Sequence, residues 1–110
     1  MDFIKELSAA VTVCDRNGII VYMNNKSAEM FHKYGGQELL GKNLIDCHLE
    51  PSKTKIKMML ETQTENIYTT EKNGKKKYIF QTPIFENGEY NGFAEMIFDT
   101  PPDIPHYIRD

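Results

Sequence analysis

Asn17-Gly18 divides the first part of the chain into two short apolar runs, and both residues tolerate the positive φ that a tight turn between antiparallel strands demands. Residues 10–15 and 19–23 on either side are rich in β-branched side chains, so the spacing predicts a hairpin closed by Asp15-Arg16-Asn17-Gly18. Asn24 or Asn25 can then cap a short helix whose Ala28, Phe31 and Tyr34 fall on one face. The chain thus begins with a hairpin that runs straight into a helix.

Further on, Gly35-Gly36 and Gly41 delimit a single helical turn begun at Gln37. Pro51-Ser52 opens a longer helix through about Gln63, with Ser52 as N-cap and Ile56, Met59 and Leu60 as its buried stripe. Lys53, Lys55, Lys57 and Glu61 are expected on its wet face. From Glu65 the signal switches to strands: residues 66–70, a turn at Asn73-Gly74, residues 77–82, a turn at Asn87-Gly88, and Tyr90 to Phe98. Pro83 cannot donate to a ladder and is expected to end the central pairing of its strand. Two strands, small helices, a longer helix and three strands describe an α+β fold, a five-stranded antiparallel sheet with short helices on one face.

A length of 110 residues allows one domain with one core, so any function must use one pocket or one surface. Thirteen Lys and Arg against sixteen Asp and Glu leave a net charge of −3, which argues against nucleic acid as a main partner. Lys75-Lys76-Lys77 reads as a solvated hairpin end. No apolar run reaches the ~18 residues that span a bilayer, and the residues before the first strand show no basic segment followed by a signal-peptide core. Cys14 and Cys47 are too few for a disulfide framework, so a reducing, cytoplasmic setting is expected, with Cys14 a small core residue.

The element order resembles the PAS family over residues 8–100. The resemblance is carried by Asn24 after the second strand, Glu38-Leu39-Leu40-Gly41-Lys42 before the long helix, Pro83-Ile84 in the fourth strand, and Gly88, Gly92 and Asp99-Thr100 at the end. Cys47-His48 followed by Glu50-Pro51-Ser52 also resembles a Cys-His-x-Pro type segment of one bacterial subgroup. The resemblance implies a sheet curved over helices around a ligand pocket or a packed core, and dimerisation through the N-terminal segment and the outer sheet face. It leaves the ligand open, because fold does not give function.

Photosensory flavin members of the family carry a reactive Cys after a Gly-x-Asn segment and a Gln two residues before the terminal Asp. Here Leu44 follows Gly41-Lys42-Asn43, and Ile97 stands two before Asp99. Haem-binding members place a histidine in the long helix, where this chain has Lys55 or Ile56; His48 lies before that helix and would have to reach a haem from a different direction. The usual ligand residues thus support neither haem nor flavin, and the cofactor is unknown. Cys47-His48 with Cys14 and Glu95 matches no zinc spacing. Cys47 packing in the core while His48 caps its loop is the plainer reading, and a thiol nucleophile with His48 as base is a remote one.

In the register the resemblance implies, Phe93, Glu95 and Ile97 face inward and Ala94, Met96 and Phe98 outward. An inward Glu95 needs a partner, either His48 or Gln81; a Glu95 at the sheet rim would reach solvent instead. The expected ligand-facing set is His48, Cys47, Glu95, Gln81, Ile79, Phe93, Ile97 and Ile56. Met96, Phe98, Tyr78 and Phe80 would leave an apolar outer face, to be covered by Phe3, Ile4 and Leu7 of an N-terminal amphipathic turn over residues 1–7, from the same or a second copy. Phe3, Ile4, Leu7, Phe80, Met96 and Phe98 are therefore the expected homodimer interface. Three prolines within Pro101–Pro105 make residues 101–110 an extended tail, with Tyr107 and Ile108 docking somewhere. The expected protein is a stand-alone, non-catalytic sensor that binds a small ligand and signals through a dimer or a separate partner, with a ligand-free interaction module as the alternative.

Overall fold

Asn73-Gly74 and Asn87-Gly88 each hold both residues at positive φ, 54° and 76° in the first, 53° and 83° in the second. That is the two-residue turn whose twist matches its flanking strands. A computed structural model describes residues 2–110 of the protein; Met1, counted with the N-terminal segment, lies outside the described residues. The turns join β3 (Asn66–Lys72) to β4 (Lys75–Glu86) and β4 to β5 (Glu89–Asp99). With β1 (Ala10–Asp15) and β2 (Ile20–Met23) they form one antiparallel sheet ordered β2-β1-β5-β4-β3. Two α-helices, α1 (Asn25–Met30) and α2 (Ser52–Thr62), and two 3₁₀ turns fill the connection from β2 to β3.

The first hairpin closes differently. Gly18 alone is left-handed (φ 87°), and Asp15 N–H donates to Ile19 O, so three residues form the loop. The Asp15 carboxylate accepts from the N–H groups of Asn17 and Ile19 and holds this wider turn.

Asn24, not Asn25, caps α1, and its side chain is fully buried. Its Oδ1 accepts from Val11 N–H and Ser27 N–H, and its Nδ2 donates to Ile4 O and Ala9 O. One amide therefore ties the N-terminal segment, β1 and α1 together with every polar atom used. The face expected on Ala28, Phe31 and Tyr34 does not survive, since α1 stops at Met30 and a 3₁₀ turn turns Tyr34 out to solvent. Ser27 is the buried residue of α1, and its hydroxyl bonds that of Thr12.

Pro83 stands beyond the central pairing of its strand, as expected, without ending the strand. β4 continues to Glu86 along β5, while its pairing with β3 stops at Gln81, so the proline stands where β4 has only one neighbour. Ser52 does not cap α2 either: Glu50 reaches past it and accepts from the N–H and hydroxyl of Thr54. Those two hydrogen bonds hold the Glu50 carboxyl below its ordinary range. The N-terminal segment makes turns, and is tied to the end of β2 by Tyr22 O–H to Asp2, Lys5 Nζ to Met23 O and Asn25 N–H to Lys5 O.

The core is Ala10, Cys14, Ile20, Met23, Ile79 and Phe93 on the helix side of the sheet, with Val11 buried behind it. Burial pushes the Cys14 thiol up, because the thiolate would lose its water. Ile56, Met59 and Leu60 of α2 are half-buried, and none of that helix's residues is buried. Lys53, expected on the wet face, is half-buried as well.

Candidate ligand site on the inner sheet face

Directly opposed residues of an antiparallel pair share a face, so register decides which side chains meet. From the Asn87-Gly88 turn, Glu86 pairs with Glu89 and Phe85 with Tyr90, a count that would carry Gln81 to Ala94. The register shifts between Phe85 and Ile84, so that Ile84 pairs with Gly92 and Gln81 with Glu95. The extra residue is Asn91, and the bulge needs the glycine beside it. Gly92 has φ 144°, and a Cβ there would lie 2.2 Å from Cys14 O.

The shift brings three polar side chains into line across three strands. Asn66 Nδ2 donates to Gln81 Oε1 at 3.0 Å, and Gln81 Nε2 donates to Glu95 Oε2 at 2.7 Å. All three are half-buried. Tyr68, opposite Ile79 on the same face, stands close enough that burial and the Glu95 charge raise its phenol, partly offset by a hydrogen bond with Gln81. Lys55 of α2 places its ammonium 5.3 Å from the centre of the Tyr68 ring. Glu95 thus faces inward and is partnered by Gln81.

The bulge also turns Tyr90 onto the inner face. Its ring meets Phe93 and Phe85 edge-on, each 6.3 Å between centres, and its hydroxyl is buried without a hydrogen-bond partner among the described residues. Burial raises this phenol, with the nearby Cys14 and Asp15 adding to the shift. A buried hydroxyl without a partner is costly.

Of the residues expected at a ligand, Ile79 and Phe93 are buried, and Gln81, Glu95, Ile97 and Ile56 are half-buried. Cys47 and His48 do not join them. Both are exposed, so Cys47 is no core residue. His48 does cap its loop: Nδ1 lies 2.8 Å from Leu44 O, and because a carbonyl only accepts, this nitrogen carries the proton. Among the described residues His48 makes no ion pair with Glu95 and no hydrogen bond with Cys47. Nor do any three His, Cys, Asp or Glu side chains among them gather as a metal site. Of the residues expected at an interface, Phe3, Leu7 and Phe98 are exposed and Ile4, Phe80 and Met96 half-buried.

A five-stranded antiparallel sheet in the order 2-1-5-4-3, with its helices inserted between the second and third strands, matches a known family closely. A family model described as PAS domain matches residues 8–100. The chain belongs to the PAS family. Among solved structures, a C-terminal domain from Streptococcus mutans superposes with a TM-score of 0.73 at 22% identity, covering 87% of this chain and 78% of that one. The PAS domain of BvgS from Bordetella pertussis gives 0.67 at 16%, covering 89% and 81%. The Aer2 receptor from Vibrio cholerae, described as a dual PAS-heme oxygen sensor, gives 0.61 at 18%, covering 84% and 95%. At these identities the likeness is one of fold. No curated protein sequence matches the chain.

A PAS interior that holds haem needs an imidazole aimed at the iron. α2 contains no histidine, and His48 commits Nδ1 to Leu44 O from an exposed loop, so the residues present do not fit haem.

Asn66, Tyr68 and Tyr90 belong to this face and escape a reading by residue type. Asn66 and Tyr68 can be found by counting back from Asn73-Gly74, which sets them opposite Gln81 and Ile79. Tyr90 needs the bulge, whose one signal is a glycine inside a strand pattern.

Proposed function

We propose that this PAS domain is a sensory module that binds a small molecule between the inner sheet face and α2, and passes occupancy on through a homodimer or a separate signalling partner. The observation that carries the reading is the half-buried chain Asn66–Gln81–Glu95 on the inner sheet face, beside Tyr68, over whose ring α2 sets the Lys55 ammonium. A carboxylate drawn partly out of water and oriented by one amide is the kind of convergent polar group that fixes a ligand's orientation in an otherwise apolar site. Tyr68 and the unpaired Tyr90 hydroxyl extend the set of groups available to it. Binding that differs between two arrangements of the domain is what would shift the interface.

The role proposed is recognition without catalysis. Cys47 and His48 lie outside the inner face and make no hydrogen bond to each other among the described residues, so they offer no nucleophile and base pair there. A cytoplasmic, bacterial setting, and the Cys-His-x-Pro subgroup suggested by Cys47-His48, are part of the same proposal; Leu49-Glu50 separates that His from Pro51. No helix among the described residues is long and apolar enough to cross a membrane. A ligand-free interaction module is the second reading, favoured by Ile79 and Phe93 being buried by the protein's own atoms.

Native mass spectrometry of the purified protein, with an absorption spectrum of the same sample, tests this. The expected result is a bound small-molecule mass that is lost in Gln81→Leu and Glu95→Leu, both checked for folding by circular dichroism. A clean unliganded mass with no chromophore overturns ligand binding in favour of the interaction module.

A further inference from the structure

Two groups of exposed apolar side chains can be set against each other. On the outer sheet face, Ile67 lies opposite Phe80, Phe80 opposite Met96, and Tyr78 opposite Phe98. Ile67, Tyr78 and Phe98 are exposed. The N-terminal segment does not reach them, because its polar ties run to Tyr22, Met23, Asn24 and Asn25 beside β2 at the opposite edge of the sheet. The other surface is residues 101–110, which adopt no helix or strand and leave Ile104 61%, Tyr107 69% and Ile108 87% exposed.

The two fit each other in chemistry and length. Pro101, Pro102 and Pro105 preset φ, so ordering this segment on a surface loses little conformational entropy. The same prolines remove ladder donors, which favours docking by side chains over adding a strand. Thr100 roots the segment beside β4 by donating its N–H and its hydroxyl to Lys76 O, at the sheet end where Tyr78 and Phe98 stand. From Pro101 to Ile108 an extended chain reaches roughly 22 Å, against roughly 19 Å across five strands. Yet within one copy the apolar side chains of both stay exposed: Ile67, Tyr78 and Phe98 on the sheet, and Ile104, Tyr107 and Ile108 on the segment.

We propose that residues 101–110 of one copy dock across the outer sheet face of a second copy, reciprocally about a two-fold axis. A second copy supplies both missing surfaces at once, and the exchange covers each sheet with a stiff apolar segment. This rests on the homodimer part of the proposed function and names its contact: Tyr107 and Ile108 against the patch made by Ile67, Tyr78 and Phe98.

Sedimentation equilibrium of three proteins tests it: the full chain, the chain ending at Thr100, and Tyr107→Asp/Ile108→Asp. The removed or altered residues are exposed, so each variant should keep its circular dichroism spectrum and melting transition. The expected result is about twice the chain mass of 12.7 kDa for the full chain and a single mass for both variants. Ile67→Lys on the receiving face should also give single chains. A segment that docked on its own sheet would, when removed, uncover apolar surface and increase association, which overturns the exchange. Dimers persisting in both segment variants overturn the exchange while leaving a dimer through another surface. A full chain of single mass overturns the exchange and the homodimer together.

Discussion

The β3–β4 and β4–β5 hairpins are both closed by an Asn-Gly pair with both residues at positive φ, and they diverge within a few residues. Along β3–β4 the register runs unbroken from Lys72 and Lys75 at the turn to Asn66 and Gln81 at the end. Along β4–β5 one extra residue slips the register, and Gly92 approaches β1 more closely than any side chain permits. The regular hairpin supplies an extended, solvated ladder. The bulged one assembles the polar face, because only after the slip does Glu95 oppose Gln81 and Tyr90 turn inward. A single backbone irregularity thus decides where the chemistry-bearing side chains go.

The largest effect should come from breaking that irregularity. Gly92→Ala places a methyl against Cys14 O and forces a residue with a side chain to φ 144°, so a loss of about 3 kcal/mol or more is expected in denaturant unfolding. The equivalent change in the regular hairpin, Gly74→Ala, meets open space and only the positive-φ penalty, about 1 kcal/mol. Equal losses in the two variants would remove the distinction between the hairpins. A smaller effect of opposite sign is expected for Tyr90→Phe, which deletes a buried hydroxyl without a partner and should raise unliganded stability by up to about 1 kcal/mol. A loss on that substitution would show that the hydroxyl has a partner after all.

Much of the sheet is legible in the sequence because its signals are local. Asn73-Gly74 and Asn87-Gly88 need only neighbouring residues to set their turns, and alternation along β5 follows from the strand period. The helix boundaries were less so. Both Ser52 and Glu50 can satisfy the first turn of α2, and the longer carboxylate does it; Asn24 and Asn25 are equivalent as caps until the partners of Asn24 in β1 and the N-terminal segment are known. Cys47-His48 is the largest miss at the site. A pair of reactive residue types draws attention, but their place depends on a loop with no periodic pattern, which leaves both exposed. Glu95 and Gln81 meet because of the slip at Asn91-Gly92, which turn counting alone places one residue away.

Cross-strand backbone NOEs in the isotope-labelled protein test the slipped register most directly. Gln81 paired with Glu95, and Ile84 with Gly92, is the expected pattern. NOEs pairing Gln81 with Ala94 would mean the register runs unbroken from Asn87-Gly88, and would contradict the polar face and the site built on it.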